Sequence, residues 1–199
     1  IREKLNVKNG MLLLSFFDTV VGHRGTFTFF DQLKFLESIY SILKSNKMIV
    51  IAFKGKEKPN FKSYPEEGKR VISMLKLLRK QPRFIYANQQ ALNSYELMGA
   101  SDLVISAHYS SVHFEAVIGG IKSISYDPNS RYKVDYMLAE QFPNFSAHGF
   151  DELEKLIKYW LYDCDAKDFI RFQNKYIKLH FDDYCDGRAI NRLKADLNI

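Results

Sequence analysis

The stretch that decides the fold runs over residues 102–127 and reads DLVIS-AHY-SSVHFEAVI-GG-IKSISYD. Its short apolar runs at 102–106 and 121–126 are typical of buried strands, and the segment between them has the length and pattern of a helix. Gly119 and Gly120 suit the left-handed residue that commonly follows a helix. A strand, a helix and a strand in this order predict a parallel pair joined by a right-handed crossover.

The same alternation continues outward in both directions. Further strands are predicted at 11–17, 47–53 and 83–87, with a short edge strand at 144–147. Helices are predicted at 31–45, 68–81, 91–98, 132–141, 151–162, 167–181 and 189–197. Asp31 is the expected N-cap of the first of them. The sequence therefore predicts an α/β fold, a Rossmann-like parallel sheet of about six strands flanked by helices, with a helical C-terminus.

Length and composition agree with a globular domain. The chain has 199 residues, of which 46% are hydrophobic and 26% charged, so disorder and collagen are excluded. This length suits a single domain over 1–199, which would bury roughly 70% of its unfolded surface. Cys164 and Cys185 are too few for a disulfide framework and favour a reducing compartment. Because the chain begins with Ile1 rather than Met, we expect it to be part of a longer protein.

The formal charge of +6 comes from 29 Lys and Arg against 23 Asp and Glu. These cations are spread along the chain among acidic residues, whereas a nucleic-acid reader is expected to cluster them. The pattern favours a solvated surface, with phosphate-bearing ligands or an anionic membrane surface as alternatives. No apolar run is long enough for a transmembrane helix.

The predicted sheet selects three loops as candidate ligand sites. In such sheets ligands bind outside the carboxyl ends of the strands, near the point where strand order reverses. The loops that follow the first, third and fourth predicted strands span 17–30, 88–90 and 107–111.

The loop at 107–111 is the most informative of the three, because it ends in the first turn of a helix. Free backbone N–H groups and the helix dipole favour an anion there, and the hydroxyls of Ser110 and Ser111 add donors. Glu115 follows Ser111 by four residues, so both side chains can face the same side. The alternative is that Ser111 only caps the helix and Glu115 is solvated. His108 and Tyr109 lie in this loop, where His108 is a phosphate contact or a plain loop residue.

The long first loop contains Gly22, Arg24 and Gly25. Glycine permits close backbone approach to a ligand, and a guanidinium can bind a phosphate through two hydrogen bonds. Neither G-x-G-x-x-G nor G-x-x-x-x-G-K-[ST] occurs, so no dinucleotide fingerprint or P-loop is present. A flexible surface loop is the alternative.

Two other chemistries are disfavoured. The chain has no H-E-x-x-H and no C-x-x-C, so no metal or other cofactor is predicted. Ser110 lacks the G-x-S-x-G setting of a hydrolase nucleophile.

The segments ASDLVIS (100–106), YSSV (109–112), FEA (114–116), GIKSISYD (120–127) and DGRAINR (186–192) resemble one family. They are similar to the donor-binding, C-terminal half of GT-B glycosyltransferases of bacterial surface-polysaccharide synthesis, including the CDP-glycerol glycerophosphotransferases. Those enzymes usually have Thr-Asp-Tyr where this chain has SAHY (106–109), and this difference favours a nucleotide-sugar donor over CDP-glycerol.

The resemblance implies that Ser110 and Ser111 meet the donor's phosphates, Glu115 its ribose and the loop around Asn88 its base. It implies a glycosyltransferase whose acceptor site and catalytic base lie in an N-terminal domain, so that this chain alone turns over poorly. The acceptor would be a saccharide or lipid-linked polymer. The location would be cytoplasmic, with peripheral contact at the inner face of the membrane as an extension. The alternatives are a glycerophosphotransferase, a nucleotide-sugar 2-epimerase and a non-catalytic α/β binding module.

Overall fold

The computed structural model describes residues 1–21, 27–55, 65–87, 92–108, 110–131, 142–180, 191 and 194–195. Its contacts divide the chain into two units, Ile1–Asp163 and Cys164–Ile199. The first unit holds the sheet. The second holds α6 (Ala166–His180), whose first turn is capped by the Asp165 carboxylate accepting from the backbone N–H of Asp168 at 2.7 Å. The expectation of a single domain within a longer protein stays a prediction.

All six strands of the sheet are parallel. They are β1 (Leu12–Phe17), β2 (Ile49–Lys54), β3 (Phe84–Tyr86), β4 (Leu103–Ala107), β5 (Ser123–Asp127) and β6 (Ser146–His148). The helices of this unit are α1 (Phe29–Ser45), α2 (Pro65–Arg79), α3 (Ser94–Ala100), α4 (Ser111–Ile118) and α5 (Phe150–Lys158). The predicted Rossmann-like α/β fold is confirmed.

The strand order is β3-β2-β1-β4-β5-β6. The chain therefore builds one half of the sheet outward from β1, then returns to the centre and builds the other half from β4. Phe17 at the end of β1 pairs with Ser106 of β4 and, on the other side, with Lys54 of β2. This reversal between β1 and β4 creates the crevice in which open α/β sheets bind their ligands.

Helices cover both faces of the sheet, because successive residues of the central strand point to opposite sides. On one face, Phe16 packs edge-on against Phe35 of α1, with ring centroids 5.4 Å apart. On the other face, Leu13 and Phe17 share a core with Met98 of α3 and Ala116 of α4. Burial of each large apolar side chain contributes roughly 1.5–3 kcal/mol, so the central strand is held from both sides.

The start of α1 corrects the prediction. Its N-cap is Thr28, whose Oγ1 accepts from the backbone N–H of Asp31 at 3.3 Å, while the Asp31 carboxylate accepts from the Thr28 N–H at 2.7 Å. This is a reciprocal capping box. The prediction of Asp31 as the N-cap was wrong because the first turn holds Phe29 and the exposed Phe30, which break the amphipathic pattern used to place the start.

Other boundaries also shifted. α2 begins at Pro65, three residues earlier than predicted, because proline suits the first position of a helix. The predicted helix at 151–162 is α-helical only in α5 and continues as a π-helical turn, Tyr159–Asp163. The segment 132–141 lies outside the described residues, and of 189–197 only residues 191, 194 and 195 are described. Over the described parts of the chain, no helix has the length and apolar character needed to span a membrane.

Candidate functional site

A cavity of about 450 Å³ lies where the carboxyl ends of β1 and β2 meet the N-terminal ends of α3 and α4. It therefore occupies the crevice beside the reversal of strand order. The described residues that line it are Phe17, Asp18, Lys54, Gly55, Asn93, Ser94, Tyr95, Ser110, Ser111, Val112 and Glu115.

The start of α4 forms one wall of the cavity. Ser110 is the N-cap, with its Oγ accepting from the backbone N–H of Val112 at 3.4 Å, and Ser111 is the first helical residue. Glu115 lies one turn further and lines the same cavity. Since the first N–H groups of a helix lack intrahelical partners and carry partial positive charge, this wall favours an anion.

The start of α4 argues against the alternative in which Ser111 only caps the helix. The cap is Ser110, so Ser111 is not needed for that role. Both serines and Glu115 face one cavity, as the spacing predicts. Their roles toward a ligand stay predictions.

Lys54 supplies a cation that the sequence reasoning missed. It ends β2 with only 8% of its surface exposed, and its Nζ donates to the backbone oxygen of Leu92. Burial lowers the pKa of Lys54, while the carboxylate of Glu96 opposes that shift. The predicted strand ends at residue 53, one residue before Lys54, so this lysine was not considered as a site residue. The sequence feature that could have indicated it is a single lysine directly after a continuous apolar strand.

Asp18 places a carboxylate at the end of β1, and it too was missed. It is 5% exposed, and its Oδ2 accepts from Gln32 Nε2 of α1 at 3.1 Å. Its backbone N–H donates to the Lys54 carbonyl at 3.3 Å, which extends the ladder between β1 and β2 past the last strand residues. The cavity thus combines one lysine with two carboxylates, Asp18 and Glu115.

The start of α3 also lines the cavity. Asn93 caps this helix, with its side-chain oxygen accepting from the Glu96 N–H at 2.8 Å. Tyr95 follows with 69% of its surface exposed at the cavity. An exposed aromatic ring beside a polar cavity offers a stacking face for a planar group.

His108 is not among the residues that line the cavity. It is 2% exposed, its backbone N–H donates to the Tyr126 oxygen at 3.0 Å, and its Nδ1 lies 3.4 Å from the Ser125 hydroxyl of β5. Its ring centroid is 6.4 Å from that of His148. The side chain is therefore packed among β4, β5 and β6, because side chains alternate along a strand and its extension.

Four predicted site residues, Gly22, Arg24, Asn88 and Tyr109, lie outside the described residues. Their roles stay predictions. Within the described ranges, no group of three or more His, Cys, Asp or Glu side chains is arranged to hold a metal ion. The prediction that no metal is used also stays a prediction.

A second polar cluster joins the start of α1 to the turn after β5. Asp31 is 1% exposed and accepts hydrogen bonds from Thr28, Asn129 and Arg131. The Asp127 carboxylate in turn accepts from the Asn129 N–H at 3.2 Å. This cluster holds two carboxyl-end loops of the sheet together.

The strand order and the polar cavity at its reversal define a Rossmann-type α/β domain with a candidate ligand site at the carboxyl end of the sheet. The sequence model of the family described as "Polysaccharide biosynthesis PFTS motif protein" matches residues 21–157, well over half of the chain. The chain therefore belongs to this family. A search of curated proteins found no match.

Solved structures share the fold at low sequence identity. A UDP-GlcNAc 2-epimerase from Neisseria meningitidis bound to UDP-GlcNAc matches with TM-score 0.61 and 12% identity, over 99% of this chain and 47% of that one. S. aureus MnaA with UDP matches with TM-score 0.61 and 11% identity, over 99% and 47%. The wall teichoic acid polymerase TagF matches with TM-score 0.55 and 17% identity, over 99% and 45%.

This chain spans less than half of the length of those three structures. At these identities the matches establish a shared fold. The resemblance to GT-B enzymes of polysaccharide synthesis is thus confirmed for the fold and for the polysaccharide-biosynthesis family. The narrower resemblance to the CDP-glycerol enzymes stays a prediction.

Proposed function

We propose that this chain binds the nucleotide-sugar donor of a glycosyltransferase that acts in polysaccharide biosynthesis. The observation that carries the proposal is the convergence of the α4 start, Ser111, Glu115 and Lys54 on one cavity at the strand-order reversal. Membership in a polysaccharide-biosynthesis family supports it. So does the presence of UDP or UDP-GlcNAc in two structures of the same fold.

Different parts of the cavity would hold the phosphates, the ribose and the base of such a donor. Its phosphates would lie at the start of α4, between the hydroxyls of Ser110 and Ser111 and the ammonium of Lys54. The ribose hydroxyls would donate to Glu115, and each hydrogen bond to this charged group is worth about 1.5–3 kcal/mol. The base would lie toward Tyr95, which is exposed and lines the cavity.

The chemical contribution of this chain would be electrostatic. When the bond between sugar and phosphate breaks, negative charge grows on the departing nucleotide. The helix N–H groups, the two serine hydroxyls and Lys54 are already oriented in a partly desolvated cavity, so they can stabilise that charge without reorganising. The acceptor and the base that activates it would come from another domain of the protein, and this chain alone would transfer sugar poorly.

Calorimetric titration with UDP, CDP, GDP and CMP tests the proposal. We expect one nucleoside diphosphate to bind, and Glu115→Ala to weaken that binding by about 1–3 kcal/mol through loss of a charged hydrogen bond. Glu154→Ala, which changes an exposed glutamate of α5, is the matched control and should leave affinity unchanged. If no nucleotide bound at millimolar concentration, the chain would be a non-catalytic α/β module. An unchanged affinity in Glu115→Ala would remove the ribose role.

Two related reactions are separated by their products. The fold shared with a UDP-GlcNAc 2-epimerase and with a wall teichoic acid polymerase supports testing both. Incubation of the protein with its partner domain, donor and acceptor should release free nucleoside diphosphate. An epimerised nucleotide sugar would identify the epimerase instead, and release of CMP from CDP-glycerol would identify the glycerophosphotransferase.

A further inference from the structure

The amino ends of β2 and β3, opposite the cavity, are strongly basic. The stretches 38–56 and 68–95 contain no Asp or Glu. They comprise the second half of α1, all of β2, most of α2 and β3. Since each helix runs antiparallel to the strand before it, the last turns of α1 and α2 meet at the amino ends of β2 and β3.

We call this surface the basic end. It consists of four exposed lysines and two exposed apolar side chains: Lys44, Lys47, Lys76, Lys80, Met48 and Leu77. Met48 is 51% and Leu77 40% exposed. Exposed cations that surround exposed thioether and aliphatic groups are typical of a surface that binds something both anionic and apolar.

Arg83 holds the basic end together. Its guanidinium donates to the backbone oxygens of Leu43 at 2.6 Å and of Ile49 at 2.8 Å, and also to that of Asn46. These bonds satisfy carbonyls at the C-terminal end of α1 with a cation. Because Arg83 already places a positive charge at the negative end of the helix dipole, the presence of two more cations there, Lys44 and Lys47, needs another reason.

Acidic residues lie at the margins of the basic end. On one side, Glu154 and Lys158 of α5 line a groove beside the end of α1, and their charges offset each other. On the other side, the groove between α1 and α2 is lined by Glu37 and Glu66 together with Lys69 and Arg70, and Leu77 of the basic end also lines it. The basic end itself thus keeps a net positive charge.

We propose that the basic end docks this domain on the surface of an anionic lipid bilayer. Lysines near such a surface are attracted by its negative potential, with each contributing about a fivefold gain in affinity. Met48 and Leu77 would enter the headgroup region, which a soluble anionic polymer or a nucleic acid would not provide. Because the cavity lies at the opposite ends of the strands, it would stay open to solvent while the domain is docked. This inference is independent of the identity of the donor.

Flotation with lipid vesicles tests it. We expect the protein to float with phosphatidylcholine vesicles that contain a third of phosphatidylglycerol, and not with pure phosphatidylcholine. The variant Lys44→Gln/Lys47→Gln/Lys76→Gln/Lys80→Gln should bind on the order of a hundredfold or more weakly. A matched variant that changes exposed lysines outside the basic end, Lys34→Gln/Lys155→Gln/Lys167→Gln/Lys175→Gln, should bind far more strongly than the first. Thermal melts of both variants check that the fold is retained.

A second variant, Met48→Gln/Leu77→Gln, separates lipid from other anions. It should lose vesicle binding severalfold and leave binding to heparin, used as a soluble polyanion, unchanged. Three results would overturn the proposal. They are no flotation with anionic vesicles, equal losses in the two lysine variants, and vesicle binding that is insensitive to the apolar substitutions, which would indicate a soluble polyanion as the partner.

Discussion

The two ends of the sheet use charge in opposite ways. At the carboxyl end, Lys54 and Asp18 are 8% and 5% exposed and are held by neighbouring groups. At the amino end, Lys47 and Lys80 are exposed and stand among cations without acidic residues in the same stretches. A few buried, oriented charges can discriminate one ligand, whereas many exposed charges add small and salt-sensitive attractions. Burial, rather than the number of charges, therefore distinguishes the candidate donor site from the basic end.

The largest expected effect concerns stability. Asp31 at the carboxyl end is 1% exposed and accepts from Thr28, Asn129 and Arg131. The Arg131 side chain is 40% exposed, so the expected cost comes from the hydrogen bonds to the buried carboxylate rather than from a buried ion pair. We expect Asp31→Ala to lose about 2–4 kcal/mol in urea unfolding, because a hydrogen bond to a charged group is worth about 1.5–3 kcal/mol and several are lost together.

Asp102 near the amino end is the control for that prediction. Its side chain is 33% exposed and accepts from the Leu13 N–H at 2.7 Å and from Arg2 at 2.9 Å. Asp102→Ala should cost only about 1–2 kcal/mol, because solvent screens the pair and replaces part of its bonding. Equal losses at Asp31 and Asp102 would contradict the contrast between the two ends.

The next effect is a pH dependence that tests burial away from the cavity. His113 of α4 is 1% exposed, and its Nδ1 lies 3.1 Å from the hydroxyl of Ser123 at the amino end of β5. Burial, with a smaller contribution from His108, lowers the pKa of His113 from 6.5 to about 3. The unfolded chain therefore binds one more proton than the folded chain between these two pH values. Stability from this group is complete above pH 6.5 and falls with pH by about 1.4 kcal/mol per unit.

Urea unfolding at pH 7 and pH 5 checks this sign. The wild type should lose about 2 kcal/mol more than His113→Gln over that interval, because the variant lacks the buried imidazole. A His113→Gln slope equal to that of the wild type would show that this histidine does not sense pH through burial.

A smaller effect is expected when one lysine from each end of the sheet is replaced. Lys54→Met should weaken binding of the nucleoside diphosphate by about 1–2 kcal/mol and leave the free energy of unfolding unchanged or higher, since it removes a buried charge. Lys47→Met should leave nucleotide affinity unchanged and weaken vesicle binding. Titrations of both variants with nucleotide and with vesicles measure these affinities. Loss of nucleotide affinity in Lys47→Met would contradict the distinction between the two ends.

The smallest expected effect is at the hydroxyls of the α4 start. Ser111→Ala should weaken nucleotide binding by about 0.5–1.5 kcal/mol with little change in stability, because one neutral hydrogen bond is lost. Ser110→Ala should lower stability by about 1 kcal/mol in addition, because Ser110 is the N-cap. Calorimetry and urea unfolding of the two variants distinguish the binding hydroxyl from the capping one.

Local patterns explain what could be predicted from the sequence. Continuous apolar runs such as the one in β4 identify strands, and the i, i+4 spacing places Ser111 and Glu115 on one side of α4. Lys54 and Asp18 could not be predicted as cavity-lining residues from the sequence. Their closeness to α4 depends on strand order, which hydrophobic periodicity does not determine. That His108 is buried and does not line the cavity could not be predicted, because membership of a loop does not give the direction of a side chain.

The most direct test of the central claim is an amide NMR titration with the nucleoside diphosphate that binds most tightly in calorimetry. We expect the largest saturable shifts at Ser111–Ile118 of α4 and at Lys54 and Gly55, with Lys44, Lys47 and Lys80 unaffected. Shifts centred on the basic end, or no saturable shift at millimolar nucleotide, would contradict the claim that the carboxyl-end cavity is the donor site.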